Sequence, residues 1–188
     1  MLTKEDGEYL INVAKLAIET YLKKEKKIDI PENCPKYLKE KLGVFVTLNE
    51  QNELRGCIGY PEPIAPLIEA TIDVAISAAF HDPRFSSLTM EEFENIDIEV
   101  TVLTKPEILQ VNNPSTDYIN KIRNGVDGLI VENGFNKGLL LPQVATEHNM
   151  DNETFLSHTC MKAGLDPQCY LEDETKVFTF QGQIFKEE

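Results

Sequence analysis

Residues 42–60 read LGVFVTLNEQNELRGCIGY. Leu42 to Leu48 is rich in β-branched and aromatic residues and predicts a strand. Glu50 to Glu53 is a polar turn, and Leu54 to Tyr60 is the returning strand of a hairpin. Pro61 and Pro63 end it, because proline cannot donate to a ladder. An apolar, alanine-rich segment from Ile64 to Phe80 follows and predicts a buried helix. Ile96 to Thr104 then alternates, with Ile96, Ile98, Val100 and Val102 on one face and Asp97, Glu99, Thr101 and Leu103 on the other. That is a half-buried strand. Helices and strands mix here without a regular βαβ rhythm. The predicted class is therefore α+β.

Working outward, Thr3 and Asp6 have capping-box spacing at the head of a helix whose apolar face is Leu10, Val13, Ala14, Ala17 and Tyr21. Thr89 and Glu92 repeat that spacing before a short helix. Lys105 to Thr116 holds Pro106 and Pro114 and is the expected hinge. Beyond it lie a helix from Asp117, strands at 128–132 and 138–141 around an Asn-Gly turn, and helices opening at Pro142 and at Asp151 or Asn152. Val177 to Phe185 reads as one last strand, with Phe178, Phe180 and Ile184 on one face.

The 188 residues carry 18 Lys plus Arg against 32 Asp plus Glu, a formal net charge of −14. Such a surface repels phosphate backbones, so no broad nucleic-acid binding is expected. No segment approaches the run of about 20 apolar residues that spans a bilayer, and the first residues do not read as a secretory leader. A cytoplasmic location follows as an expectation. Cys34, Cys57, Cys160 and Cys169 are irregularly spaced and are expected reduced. They include no Cys-x-x-Cys, so no metal site is predicted. No dinucleotide fingerprint or P-loop occurs, and no cofactor is predicted.

Chemistry concentrates in Leu54-Arg55-Gly56-Cys57-Ile58-Gly59. Strand alternation places Arg55 and Cys57 on one face and Leu54, Ile58 and Tyr60 on the other, toward the core. A guanidinium beside the sulfur favours thiolate, which makes a cysteine nucleophilic. Gly56 and Gly59 clear space for a ligand or a backbone. The alternative is inert packing, since cysteine also behaves as a small hydrophobe.

The hexapeptide resembles the hallmark of the AMMECR domain family. The likeness continues through Ala78–Phe85 (AAFHDPRF), Ile98–Leu103 (IEVTVL), Gly125–Leu129 (GVDGL), Leu140–Ala145 (LLPQVA) and Phe155–Leu165 (FLSHTCMKAGL). One departure falls at Glu147 to Asp151, where Met150 stands in the place of a tryptophan common in the family. The resemblance implies an α+β fold of antiparallel sheets with flanking helices, in a larger and a smaller lobe. The larger would take about residues 1–105 plus 172–188, and the smaller about 106–171. It also implies association with a Memo-like protein and a radical SAM enzyme.

Cys57 is thus the candidate nucleophile, with Arg55, Glu99 and His158 as catalytic candidates. A Cys-His pair is the usual route to a thiolate. Glu99 could serve as base or as partner of Arg55 or Arg84. Asp82 and Arg84, in the turn His81-Asp82-Pro83-Arg84, are binding candidates together with Gly56 and Gly59, since Arg84 could hold an anion by a bidentate contact. Two readings stay open: an enzyme acting on a small molecule or nucleic-acid base, and a non-catalytic module that binds a ligand or protein partner.

Overall fold

A computed structural model describes residues 2–187 as two compact units, one of residues up to 103 with 183 onward, the other of residues 104–182. The class is α+β with two antiparallel sheets.

In the first unit, α1 (Lys4–Lys24) opens with the Thr3/Asp6 capping box and packs on α2 (Leu67–Phe80). Both helices lie against a sheet ordered β2-β1-β3-β8, built from β1 (Val44–Glu50), β2 (Glu53–Tyr60), β3 (Ile96–Leu103) and β8 (Gly182–Lys186). Val44, Val46 and Leu48 of β1 and Ile98, Val100 and Val102 of β3 are buried with Leu10, Ile18 and Ile72 in one core. Helix α3 (Met90–Phe93) is a single turn fixed by the Thr89/Glu92 box. The other face of the sheet carries Phe45, Thr47 and Asn49 of β1 and Asp97, Glu99 and Thr101 of β3.

The β1–β2 hairpin turns at Gln51 and Asn52, both with positive φ, as a two-residue turn of matching twist requires. Asn49 pairs with Leu54 and Leu48 with Gly56, so Arg55 is an extra residue in β2. This bulge corrects the expected alternation. Leu54 leaves the core side and is 43% exposed, while Gly56, Ile58 and Tyr60 share the side of Leu48, Val46 and Val44.

The second unit holds β4 (Glu107–Ile108), α4 (Pro114–Lys121), β5 (Gly128–Asn133), β6 (Asn136–Leu140), α5 (Pro142–Glu147), α6 (Asn152–Lys162) and β7 (Lys176–Phe180), with sheet order β4-β7-β5-β6. Its core gathers Leu129, Val131, Phe155, Leu156, Cys160 and Val177. The segment read as a hinge contributes β4, which pairs with β7.

The last predicted strand is two strands in different sheets. At the break, the Thr104 N–H donates to the Gln181 carbonyl and the Gln181 N–H to Thr104 Oγ1, a local pairing that ends β7. The second unit consequently runs to 182 rather than to 171. Ile184 is 57% exposed instead of sharing the Phe180 face. Cys160 and Cys169 form a disulfide, which corrects the expectation of four reduced thiols. Gly164, with positive φ, ends α6 and turns the chain back until the two Cα atoms lie 6.0 Å apart, within bridging range.

Candidate functional site

Strand β2 is an edge strand, and Cys57 sits in its middle. Its outward backbone groups are paired by a turn rather than by another strand. Asp82 Oδ2 accepts from the Cys57 N–H at 2.9 Å, and Arg84 Nη2 donates to the Cys57 carbonyl at 3.1 Å. Asp82 in turn accepts from the Arg84 backbone N–H, Nε and Nη2 at 2.7–3.1 Å. An aspartate two residues before an arginine thus builds a side-chain imitation of a strand and blunts the edge. The Arg84 fork, with the Cys57 N–H, holds the buried Asp82 carboxyl far below the usual carboxylate range.

Arg55 serves a different partner. Its Nε and Nη2 grip both oxygens of Glu92 at 3.0 and 3.1 Å, and Nη2 also donates to the Ser86 carbonyl at 3.0 Å. Its Nη1 is buried with no protein acceptor among the described residues. The guanidinium lies 5.8 Å from the centre of the Phe85 ring, and that of Arg84 lies 5.5 Å from it. Neither arginine pairs with Glu99, as the sequence had allowed. Glu99 instead pairs with Lys186 of β8 at 2.9 Å.

The open face of the sheet brings Cys57, Thr47 and Glu99 into one row. Thr47 is the register partner of Cys57 on one side and of Glu99 on the other. The Thr47 hydroxyl donates to Cys57 Sγ at 3.3 Å. The Cys57 thiol is half-buried, whereas the other free thiol, Cys34, is buried. Beside the row lies a cavity of about 430 Å³ lined by Thr47, Asn49, Asn52, Asp97, Ile98, Glu99, Lys186 and Glu187.

The glycines of the motif face backbone and ring rather than open space. A Cβ on Gly56 would stand 2.2 Å from the Ala78 carbonyl oxygen, because the last turn of α2 lies directly on β2. A Cβ on Gly59 would enter the ring of Phe45, its cross-strand neighbour. His158 lies in the second unit, on α6, where it lines a cavity with His148. Among the described residues, no cluster of three His, Cys, Asp or Glu side chains is placed to hold a metal ion, and no helix is long and apolar enough to cross a membrane.

Thr47, Glu92 and Lys186 were missed by sequence reasoning. Glu92 had a visible signal, its place in a capping box, but that signal accounts only for its bonds to Thr89. The same carboxylate holds Arg55, whose fork pulls its pKa down from 4.5 to about 2, with the Thr89 N–H as second cause. A depressed acid stabilises the fold above its ordinary pKa, and that stability is lost as pH falls from about 4.5 toward about 2. Urea midpoints measured from pH 6 to about pH 2.5 should therefore fall. In Glu92→Gln they should start lower and fall less steeply. Parallel slopes would show that the pair does not drive the acid sensitivity.

These features define a class: an α+β protein of two antiparallel sheets, with a thiol on the open face of the first and its backbone clamped by an Asp-Pro-Arg turn. The chain belongs to the AMMECR1 family, whose model matches residues 11–185. It is 54% identical to a protein of Methanothermobacter thermautotrophicus over all of this chain and 97% of that one. It is 52% identical to a Pyrococcus abyssi protein, over 98% of this chain and 91% of that one. The crystal structure of an uncharacterized Pyrococcus horikoshii protein superposes with a TM-score of 0.82 at 51% identity, covering 100% of this chain and 94% of that one.

Proposed function

We propose that the protein is an enzyme that uses Cys57 as a nucleophile toward a small polar molecule or a nucleic-acid base. The observation that supports this reading is what remains after the motif is accounted for residue by residue. Arg55 is spent on Glu92, Gly56 on α2, Asp82 and Arg84 on the strand edge, and Gly59 on Phe45. The thiol has no packing duty in the core. It lies on the open face, beside a hydroxyl that donates to it. Glu99, two strand spacings away, roughly 9–10 Å, leaves room above Thr47 for a small substrate and offers a carboxylate for proton transfer. Association with a Memo-like protein and a radical SAM enzyme belongs to this proposal.

The second reading, a binding module without chemistry, draws on a different observation. The Thr47 hydroxyl is the one side chain that bonds the sulfur among the described residues, so no imidazole activates it there. Site-resolved alkylation of the native protein separates the two. Under the first reading iodoacetamide labels Cys57 at least about 100-fold faster than buried Cys34. Labelling of Cys57 only upon unfolding would remove the nucleophile and leave the binding module.

A further inference from the structure

The second unit contains a cavity that the Cys57 chemistry does not use. It measures about 420 Å³ and is lined by Leu140, Val144, His148, Met150, His158, Met161 and Lys162. That volume lies within the range of small-molecule sites, roughly 300–1,000 Å³. We infer that this cavity binds a small molecule with a flat, apolar ring system and one anionic group, a carboxylate or a phosphate.

The walls are fixed. Helix α6 lies so close to β6 that a Cβ on Gly138 would stand 2.4 Å from the Thr159 carbonyl oxygen. The disulfide from Cys160 anchors the same helix. Helix α5 ends with Asn149 at positive φ, and the Met150 N–H returns to the Ala145 carbonyl at 2.8 Å. The Met150 carbonyl accepts from Asn124 Nδ2 at 2.8 Å, so the strip joining α5 to α6 is bonded on both sides.

The chemistry is unusual for this chain. Phe155, Leu156, Thr159 and Cys160 of α6 face the core, so His158, Met161 and Lys162, at i, i+3 and i+4, form a separate face toward the cavity. Met161 is 46% exposed although it is apolar. With Met150 it offers two polarizable thioethers, which favour aromatic rings. The polar lining is one lysine and two imidazoles, and none of the lining residues is acidic, in a chain of net charge −14. Among the described residues no side chain pairs with His148, His158 or Lys162, so their nitrogens are open to a ligand. A site rich in donors and poor in carboxylates selects an anion, and the thioether floor selects a ring.

The test is an NMR titration of the full chain with adenosine 5′-monophosphate, indole-3-acetate and neutral adenosine. The chain has three histidines and four methionines, so imidazole and methyl signals report the site directly. We expect saturable shifts of His148, His158, Met150 and Met161 below about 1 mM with at least one of the anions. His81 and Met90, in the first unit, serve as controls and should not move. Response to the nucleotide assigns a phosphate ligand, and response to indole-3-acetate a carboxylate. Adenosine should bind at least tenfold more weakly than its monophosphate, and exposed Lys162→Glu should weaken the anion at least tenfold. No saturable shift, equal response of the controls, equal binding of adenosine, or an unchanged Lys162→Glu would each overturn the assignment. The result is independent of whether Cys57 is reactive.

Discussion

Gly56→Ala is expected to destabilise the protein by about 3 kcal/mol or more, at the upper end of overpacking substitutions. The added methyl would stand 2.2 Å from the carbonyl oxygen of Ala78 and 3.2 Å from its carbonyl carbon. Both are main-chain atoms in the last turn of α2, so no rotamer change can clear them. Either the helix end lifts from the sheet or β2 bends away, and both cost buried contacts between α2 and β2. Thermal or urea unfolding reads the effect directly. A sharper check comes from the partner residue. Ala78→Gly should give no rescue, because the obstacle is its carbonyl and not its side chain. An unchanged melting temperature in Gly56→Ala would leave this glycine with the other role read from sequence, clearance for a ligand.

That difference shows where the sequence was legible. Local signals were: the Thr3/Asp6 and Thr89/Glu92 boxes lie within four residues and appear as expected. The hairpin, the alternation of β3 and the α+β class follow from periodicity over a few residues. The cross-strand neighbour of Cys57 was hidden by a single inserted residue. A regular two-residue turn pairs Glu50 with Glu53, and extending that register sets Cys57 opposite Val46, on the core side. The bulge at Arg55 moves it opposite Thr47, on the open face. No periodicity reports such an insertion, so Thr47 could not be named as the neighbour of the thiol. The partners of Arg55 and Glu99 were hidden for another reason. Glu92 lies 37 residues from Arg55, and Lys186 lies on a strand that the sequence alone had merged with β7. The disulfide was obscured because compartment, not geometry, governed the expectation for its thiols.

Arg55→Ala should cost about 3 kcal/mol, because it breaks a largely buried ion pair and orphans what remains. The arginine side chain is 10% exposed and that of Glu92 28%, so the penalty falls at the lower end of the range for buried pairs. Two groups lose a donor together: the Glu92 carboxylate, left with only its Thr89 bonds, and the Ser86 carbonyl. Arg55→Lys should recover only part, since an ammonium cannot grip both carboxylate oxygens and reach Ser86 as the planar fork does. The double variant Arg55→Ala/Glu92→Ala is the decisive member of the cycle. If the cost lies mainly in the abandoned carboxylate, it should be less destabilised than the sum of the single variants by at least about 1 kcal/mol. Additive effects would mean that Arg55 stabilises the bulge through its packing against Phe85, and the pair with Glu92 would be incidental. The cycle also bears on the thiol. Arg55 turns toward α3 and the 85–86 turn, so it is a structural brace for the strand that carries Cys57. The alkylation rate of Cys57 in folded Arg55→Lys should then stay within a few-fold of the parent. A large drop with the fold intact would place the guanidinium back beside the sulfur.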